Sequence, residues 1–264
     1  MLPILLKIPL PFLSHEIPIY TYGLLVATAF LAGIWWSAHE AKKVNLSPDF
    51  VFDLSFYIVV AAIIGSRVLY IVVDYDRYLS HPLDILKIWE GGLVFYGGLI
   101  AAIGTSLYYA KRKKTPFLVV ADLFTPGVAL GHAIGRLGCF AAGCCYGRPV
   151  TESHFWAVTF PHNGTSLAPA GIPLYPTQLM ESAAELALFL ILIALRRRKK
   201  FTGQIFLSYV VLYGISRSVL EVFRGDAIRG FVIPGILSTS QLISGLLISA
   251  AIIYSIYLKK RRSV

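Results

Sequence analysis

The sequence predicts an all-α integral membrane protein that crosses the bilayer about seven times. Of its 264 residues, 56% are hydrophobic and 14% are charged, whereas a soluble domain has roughly 25% charged residues. The mean hydropathy is accordingly positive, at +0.69. The apolar stretches run to about 20 residues, the length of helix that crosses the hydrocarbon core of a bilayer. A soluble α/β protein, in which short apolar strands alternate with polar helices, is therefore excluded.

Seven apolar stretches are long enough to span, and each is predicted to be a helix because lipid-exposed backbone must satisfy its own hydrogen bonds. The predicted spans are residues 17–38, 50–73, 92–110, 117–137, 175–195, 203–223 and 234–258. Residues 138–174 are too polar and too rich in glycine and proline to span, which predicts an external loop or small subdomain. The absence of an internal repeat predicts one membrane domain over residues 1–264. Residues 1–18 are expected to remain as an amphipathic segment at the outer surface.

The basic residues are concentrated in four short runs that follow alternate spans. These runs hold 15 of the 24 lysines and arginines and lie at residues 42–43, 111–114, 196–200 and 259–262. Cytoplasmic loops carry such an excess of positive charge, so the N-terminus is predicted to be outside and the C-terminus in the cytoplasm. The net charge of +10 thus reflects membrane topology, and no nucleic-acid partner is expected.

Five polar side chains lie within or next to the apolar spans: Tyr22, Arg67, Arg136, Tyr213 and Arg217. A charged side chain at that depth costs roughly 3 kcal/mol or more, so it usually faces an interior cavity or a partner. Three arginines in such positions suggest a buried anion. The abundant anion in a membrane is the phosphate of a phospholipid, and membrane lipid is therefore an expected partner.

The sixth span carries Tyr213, Arg217, Glu221 and Arg224 at spacings of four, four and three residues. These spacings place the four side chains on one face of a helix. One interpretation is an internal salt bridge in which Glu221 neutralises Arg217. The other is that Glu221 orients Arg217 to bind a phosphate, because the planar guanidinium donates two parallel hydrogen bonds to that group. Arg224, at the helix end and nearer water, is expected to matter far less.

Residues 131–149 form the densest motif, with five glycines in 19 residues. The motif resembles the signature of the bacterial prolipoprotein diacylglyceryl transferases, G-R-x-G-N-F-x-N-G-E-x-x-G-R. The alignment has no gaps, and the positions kept are Gly135, Arg136, Gly138, Phe140, Gly143, Gly147 and Arg148.

The resemblance continues, in order, along nearly the whole chain. The matching elements are Tyr22-Gly23, Gly65-Ser66-Arg67, Trp89-Glu90-Gly91-Gly92 followed by Gly97-Gly98, Asp122 with Pro126, Pro176-Thr177-Gln178-Leu179 with Glu181, and Tyr213-Gly214 with Arg217 and Glu221. It implies a multi-pass enzyme of the bacterial cytoplasmic (inner) membrane that uses no cofactor or metal. Its substrates would be phosphatidylglycerol and the lipobox cysteine of a preprolipoprotein, and its products a thioether and glycerol phosphate.

The resemblance also implies the site residues. The expected catalytic residues are Arg136, Arg217, Tyr213 and Tyr96, with the two arginines clamping the phosphate that leaves. The expected substrate-binding residues are Tyr22, Arg67, Gly98, Gly147, Arg148, Gln178, Glu181 and Glu221. The tyrosines would orient the glycerol or relay a proton, although many tyrosines of membrane proteins are simply interfacial belt residues.

This chain departs from the family pattern at the signature and at the expected base. Cys139, Ala142 and Cys144 replace two asparagines and a glutamate, and Tyr96 replaces a histidine viewed as the catalytic base. His132, one helical turn before Arg136, is either a replacement base or a packed polar residue. Two other functions stay open at this point: a related transferase with a different acceptor, and a non-enzymatic lipid-binding membrane protein.

The three cysteines of the chain, Cys139, Cys144 and Cys145, fall within seven residues on the outward side. That compartment permits disulfides, so Cys139 is a candidate partner for Cys144 or Cys145. The cysteines are otherwise unpaired core residues, ligands of a metal site completed by His132 or His154, or a transient thiol acceptor.

Overall fold

A computed structural model describes residues 3–9, 16–87, 91–150, 156–162, 166–225, 230–233 and 237–262. Most of these residues are helical. The helices are α1 Thr21–Ala41, α2 Pro48–Val73, α3 Tyr75–Ser80, α4 Phe95–Arg112, α5 Phe117–Ala142, α6 Thr177–Arg196, α7 Gln204–Glu221 and α8 Thr239–Arg262. The strands are β1 Ile4–Pro9, β2 Glu16–Tyr20, β3 Val158–Thr159, β4 Pro173–Leu174, β5 Phe231–Ile233 and β6 Leu237–Ser238.

Five of the described helices are long and apolar enough to cross a membrane. The candidate spans are Thr21–Val44, Pro48–Val73, Phe117–Ala142, Thr177–Arg196 and Thr239–Arg261. The chain is therefore a mostly helical, multi-pass membrane protein. The helices α4 and α7, with 18 residues each, are not among these candidates. The count of seven spans and their orientation stay predictions.

The chain divides into two compact units, Met1–Trp36 with Phe124–Val264, and Ser37–Leu123. The division leaves the expectation of one membrane domain as a prediction. Each unit is described by itself below, beginning with the larger one.

The larger unit opens with a β-hairpin instead of the expected amphipathic segment. Strands β1 and β2 pair antiparallel, with Ile4 opposite Tyr20. The prediction that the first helix begins at residue 17 is therefore wrong by four residues, since α1 begins at Thr21. The sequence Ile-Pro-Ile-Tyr over residues 17–20 explains the difference, because β-branched and aromatic residues favour strands. Three two-stranded sheets in all accompany the helices of the described residues, so the expectation of a purely α-helical chain was too simple.

Small residues bring α1 and α5 into close contact in this unit. A Cβ atom added to Gly33 would lie 2.8 Å from the carbonyl oxygen of Gly127, and one added to Gly131 would lie 2.9 Å from that of Ala29. Such close approach is typical of helix pairs in membranes. A buried apolar cluster joins α5, α6 and α7 through the side chains of Ala129, Phe189, Leu192 and Ile205. These contacts fix the faces of the helices that carry the polar residues.

Helix α5 is longer than predicted, ending at Ala142 instead of residue 137. Its end is a Schellman motif, in which a glycine with positive φ turns the chain out of the helix. Gly143 has φ of 73°. Its N–H donates to Phe140 O at 3.3 Å, and the N–H of Cys144 donates to Cys139 O at 3.1 Å. The first half of the signature motif is therefore helical, and the predicted loop of residues 138–174 starts only at residue 143.

The last helix also begins later than predicted. The expected span started at residue 234, whereas the chain forms β6 at Leu237–Ser238 and enters α8 at Thr239. Residues 234–236 lie outside the described part of the chain. Helices α7 and α8 pack closely at Gly214, where an added Cβ would lie 2.9 Å from Ile248 Cγ1.

The smaller unit is built on the pair α2 and α4, with α3 and a 3-10 turn over Pro82–Leu86 between them. Neither short helix was predicted. A Cβ atom added to Gly65 would lie 2.6 Å from Gly97 O, and one added to Gly98 would lie 2.5 Å from Ser66 Oγ. Gly98, which was expected to contact substrate, is thus a buried glycine at which two helices meet.

Candidate functional site

Two helices of the larger unit present matched polar residues to each other. Helix α5 carries His132 and Arg136, and α6 carries Glu181 and Glu185, with one turn between the members of each pair. Arg136 Nε lies 2.6 Å from Glu181 Oε2, and His132 Nδ1 lies 3.1 Å from Glu185 Oε1. Arg136 Nε also donates to His132 Nε2 at 3.2 Å. Residues at i and i+4 share a face of a helix. The equal spacing on both helices therefore produces two polar contacts between α5 and α6, one helical turn apart.

Helix α7 supplies a third set of polar side chains. Tyr209 donates a hydrogen bond to Glu185 Oε2 at 3.3 Å and stacks on Tyr213, with 5.6 Å between ring centroids. The ring of Tyr213 lies 5.6 Å from that of His132. Arg217 forms an ion pair with Glu221 one turn further along. The predicted salt bridge within α7 is therefore confirmed.

These three helices border a small cleft with a cavity volume of about 10 Å³, room for about one water molecule. Its lining is His132, Glu181, Glu185, Tyr213, Ser216, Arg217 and Leu220. Most of these side chains are ionisable or can form hydrogen bonds, which is unusual between apolar helices and marks a functional site by default. The predicted residues Arg136, Tyr213, Arg217, Glu181 and Glu221 thus lie in or directly beside one cleft.

Arg224 also belongs to this network, and the expectation that it lies near water is wrong. Its side chain is only 8% exposed, and its Nη1 lies 3.6 Å from Glu181 Oε1. Helix α7 ends at Glu221, and the chain then forms an antiparallel bridge between Arg224 and Gly147. This bridge turns the residue inward. The carboxylate of Glu181 consequently faces two guanidinium groups, Arg136 on one oxygen and Arg224 on the other.

The remaining residues of the signature motif shape its loop. The N–H of Gly147 donates to Tyr175 O at 3.1 Å, and an added Cβ there would lie 2.9 Å from Phe223 O. Gln178 is fully buried and donates through Nε2 to Cys144 O at 2.8 Å. Arg148 is exposed, and its guanidinium lies over the ring of Tyr175. Three of the expected substrate-binding residues, Gly147, Gln178 and Arg148, therefore make contacts within or to this loop.

Tyr22 lies at the start of α1 and packs against the signature helix. A Cβ atom added to Gly138 would lie 3.4 Å from Tyr22 Cδ2. The tyrosine side chain is partly exposed, which leaves its hydroxyl accessible beside the C-terminal half of α5. The structure therefore places this predicted residue against the motif.

Three expected site residues, Arg67, Tyr96 and Gly98, belong to the smaller unit. Arg67 is buried, and within the described part of the chain its guanidinium donates to backbone carbonyl groups. The acceptors are the carbonyl oxygens of Asp84, Ile85, Lys87, Gly91 and Gly92. A guanidinium has five N–H donors, and five carbonyls engage them here. Arg67 therefore organises the turn before α4, and its role in substrate binding stays a prediction. Tyr96 is 56% exposed at the start of α4.

The three cysteines converge at the end of α5. All three are free thiols, and their Sγ atoms lie within 4.8 Å of one another. Of the alternatives that the sequence left open for these cysteines, the disulfide is therefore not formed in this structure. Hydrogen bonds from the thiols of Cys139 and Cys144, together with the nearby Arg136 and Arg224, lower the pKa of the Cys145 thiol. His154, the other suggested metal ligand, lies outside the described residues.

Two residues of the site were missed by sequence reasoning. Glu185 and Arg224 both contact the predicted network, yet neither was named as a site residue. A usable signal existed for Glu185, since an acidic residue in the middle of an apolar span needs an interior partner. The spacing of four residues from Glu181 would have placed it on the same face.

The apolar helices and the charged cleft between α5, α6 and α7 define a multi-pass membrane protein with a functional site inside its helical region. Residues 9–257 match the family described as prolipoprotein diacylglyceryl transferase, and the chain belongs to that family.

Curated relatives agree over most of their length. The chain is 35% identical over 236 residues to the phosphatidylglycerol–prolipoprotein diacylglyceryl transferase of Clostridium tetani, covering 89% of this chain and 92% of the relative. The protein of the same name from Finegoldia magna is 36% identical over 246 residues, covering 93% of each. That from Geobacter sulfurreducens is 37% identical over 227 residues, covering 84% of each.

Proposed function

We propose that this protein transfers a diacylglyceryl group from phosphatidylglycerol to the lipobox cysteine of a preprolipoprotein. The thiolate sulfur attacks the glycerol carbon that carries the phosphate, a C–S bond forms, and the C–O bond breaks. Glycerol phosphate leaves with the electron pair, and the thiol proton passes to a base. The named relatives support the donor and the protein acceptor. The observation that carries the proposal is the group of buried arginines beside the cleft.

The charges of the site suit a reaction in which negative charge moves onto a leaving phosphate. Arg136 and Arg224 face Glu181, Arg217 faces Glu221, and Glu185 faces His132, so the site contains three arginines and three glutamates. With His132 neutral, these formal charges cancel. A proton accepted by His132 would add one positive charge as the leaving group gains one negative charge. Such preorganised charge is worth far more in a water-poor site than in water.

Arg136 and Arg217 are the proposed phosphate clamp. Arg136 makes its ion pair through Nε, and Arg217 makes its own through Nη1. A guanidinium has further N–H donors in a fixed fork that matches a phosphate. The glutamates would therefore orient each guanidinium by one edge and leave another edge for the donor lipid. The two arginines stand on different helices, so they would hold the phosphate from two directions.

His132 is the proposed base in place of the histidine that Tyr96 replaces. Its Nδ1 faces Glu185, and its Nε2 faces the other way, toward Arg136. A carboxylate on Nδ1 sets the tautomer, and Nε2 would accept the proton once its hydrogen bond from Arg136 breaks. The ring lines the cleft, so a thiol bound there could reach it. Tyr213, on the same cleft, would orient the glycerol, and Tyr22 would do so at the end of α5.

The other expected residues have proposed supporting roles. Gly147 and Gln178 hold the signature loop, and Arg148 on its exposed side would contact the lipid headgroup or the lipobox peptide. Arg67 and Gly98 act within the smaller unit by fixing the turn before α4 and the contact between α2 and α4. Tyr96 is the alternative to His132 as the base.

The membrane arrangement is also a proposal. Seven spans, with the N-terminus outside and the C-terminus in the cytoplasm, agree with the four basic runs. This orientation puts the loop between α5 and α6 outside, where it could meet an exported preprolipoprotein. The bacterial cytoplasmic membrane is the expected location, because it contains phosphatidylglycerol and exported preproteins cross it. No nucleic-acid partner is proposed.

Purified protein, phosphatidylglycerol labelled in the diacylglycerol part and a lipobox peptide would test the activity. The expected result is labelled peptide and glycerol phosphate in equal amounts. A peptide with serine in place of its cysteine serves as the matched control and should stay unlabelled. Glycerol phosphate released without labelled peptide would indicate a different acceptor, and neither product would indicate a lipid-binding protein without this activity.

A further inference from the structure

The end of α5 brings two cysteine side chains together for a local reason. In a Schellman motif, the residue three positions before the helix end contacts the second residue after it. Cys139 and Cys144 occupy these two positions, as the hydrogen bond from Cys144 N to Cys139 O shows. In most proteins apolar side chains make this contact. Here it brings together two thiols.

A second turn adds the third sulfur. Cys145 has φ of 57°, a left-handed conformation that is uncommon for a residue with a Cβ atom. Two buried side chains at the start of α6 hold the loop in this shape. Thr177 Oγ1 donates to Cys145 O at 2.9 Å, and Gln178 Nε2 donates to Cys144 O at 2.8 Å. The result is a cluster of three sulfur atoms, each within 4.8 Å of the others.

We propose that Cys139, Cys144 and Cys145 form a binding site for one thiophilic metal ion of the Zn²⁺ class. Zinc–sulfur bonds of about 2.3 Å place sulfur ligands roughly 4 Å apart, so the cluster would contract by less than about 1 Å. Each thiol that is protonated before binding would release its proton to solvent, since thiolates are the ligands. Water would complete the coordination. A disulfide would use only two of the sulfurs at about 2.0 Å and would leave the third one unused.

The charges around the cluster suit such a site. Three thiolates and one divalent ion together carry one negative charge. Arg136 and Arg224 both lie within ion-pair distance of Glu181. Both arginines act electrostatically on Cys145. These guanidinium groups therefore favour negative charge on the cluster, and this inference does not depend on the transferase activity.

Cadmium titration under reducing conditions would test the site directly, because sulfur-to-cadmium charge transfer absorbs in the ultraviolet. The chain has only three cysteines, so every thiolate signal must come from this cluster. The purified protein should bind one Cd²⁺ per chain, and Zn²⁺ should compete. Cys139→Ser, Cys144→Ser and Cys145→Ser should each weaken binding more than about 100-fold, beyond the 10–100-fold typical of outer-shell changes. Thr177→Val, which removes only the hydrogen bond to Cys145 O, should weaken it about 10-fold.

His81→Ala is the matched control, since His81 is exposed in the smaller unit, and it should bind Cd²⁺ like the unaltered protein. Three titratable thiols without stoichiometric Cd²⁺ uptake would overturn the proposal. The proposal would also be overturned if all three serine variants bound Cd²⁺ as well as the unaltered protein does. Protein isolated without reductant that contains one free thiol and a mass lower by two hydrogens would assign two of the cysteines to a disulfide instead.

Discussion

Arg136 Nε lies 2.6 Å from Glu181 Oε2, and this ion pair links the signature helix α5 to α6. Arg224, past the end of α7, approaches the other oxygen of the same carboxylate. Both the glutamate and the arginines are largely withdrawn from solvent. Glu181 therefore connects α6 to α5 and to the segment after α7. Its carboxylate faces two guanidinium groups.

Glu181→Gln is expected to destabilise the protein strongly, because it keeps the shape of the side chain and removes the negative charge that faces Arg136 and Arg224. Breaking a buried ion pair in this way typically costs about 3–5 kcal/mol. Thermal unfolding in detergent would measure the loss. Lys200→Gln is the control, because Lys200 is exposed and substitutions at such surface positions usually change stability little. Equal midpoints for the two variants would contradict the role given to Glu181.

His132→Ala is expected to lower kcat by about 10²–10⁴-fold, the usual contribution of general acid–base catalysis. The apparent KM for phosphatidylglycerol should change little. The pH–rate profile should also lose the limb on which a histidine must be neutral, an effect that a merely structural loss would not produce. Tyr96→Phe removes only a hydroxyl and should retain most of the activity. A His132→Ala enzyme with an unchanged profile, together with an inactive Tyr96→Phe enzyme, would move the base to Tyr96.

Arg67→Lys is expected to unfold the turn before α4, because lysine keeps the charge but cannot reach five carbonyl oxygens at once. Each buried carbonyl left without a donor costs about 1–3 kcal/mol. Hydrogen exchange at residues 84–87 should therefore rise, together with a fall in the unfolding temperature. Arg77→Lys is the comparison, since the side chain of Arg77 is 47% exposed. An Arg67→Lys protein with normal exchange but weaker binding of phosphatidylglycerol would return Arg67 to the lipid site.

The helices were predictable from hydropathy, but several of their ends were not. The end of α5 was missed because small and polar residues after Leu137 look like a loop by composition. The true stop signal is the left-handed Gly143 with its two backbone hydrogen bonds. The start of α1 was missed because the apolar residues 17–20 suit a strand as well as a helix. Hydropathy reports how apolar a segment is. It does not distinguish an apolar strand from a helix, or a polar helix end from a loop.

The site itself was partly predictable, since polar residues within apolar helices need partners. That argument identified Arg136, Arg217 and Tyr213, and the helical spacing identified the contact of Arg217 with Glu221. It could not specify which partner each arginine has. Arg67 obeys the same rule by binding backbone carbonyls, and these come from a turn that sequence patterns do not reveal.

The proposed topology can be tested by labelling single introduced cysteines with a membrane-impermeant reagent in intact cells. The native cysteines are first replaced with serine in a background that retains activity. Trp156→Cys, in the loop between α5 and α6, should react from outside. Lys113→Cys and Arg198→Cys, in the basic runs after α4 and α6, should react only after the membrane is opened. Labelling of the last two in intact cells would reverse the orientation.

The arginine clamp is the central claim, and turnover of Arg217 and Arg136 variants with phosphatidylglycerol and a lipobox peptide tests it most directly. Loss of a charge-assisted contact in a buried site costs roughly 2–5 kcal/mol, which corresponds to about 30-fold to several thousand-fold in rate. Arg217→Ala and Arg136→Ala should fall in that range, and Arg217→Lys should be nearly as slow because the fork is lost. Arg148→Ala serves as the comparison because Arg148 is exposed, and its turnover rate should fall less. If folded, membrane-inserted Arg217→Ala or Arg136→Ala protein turns over at the rate of the unaltered enzyme, the clamp is wrong.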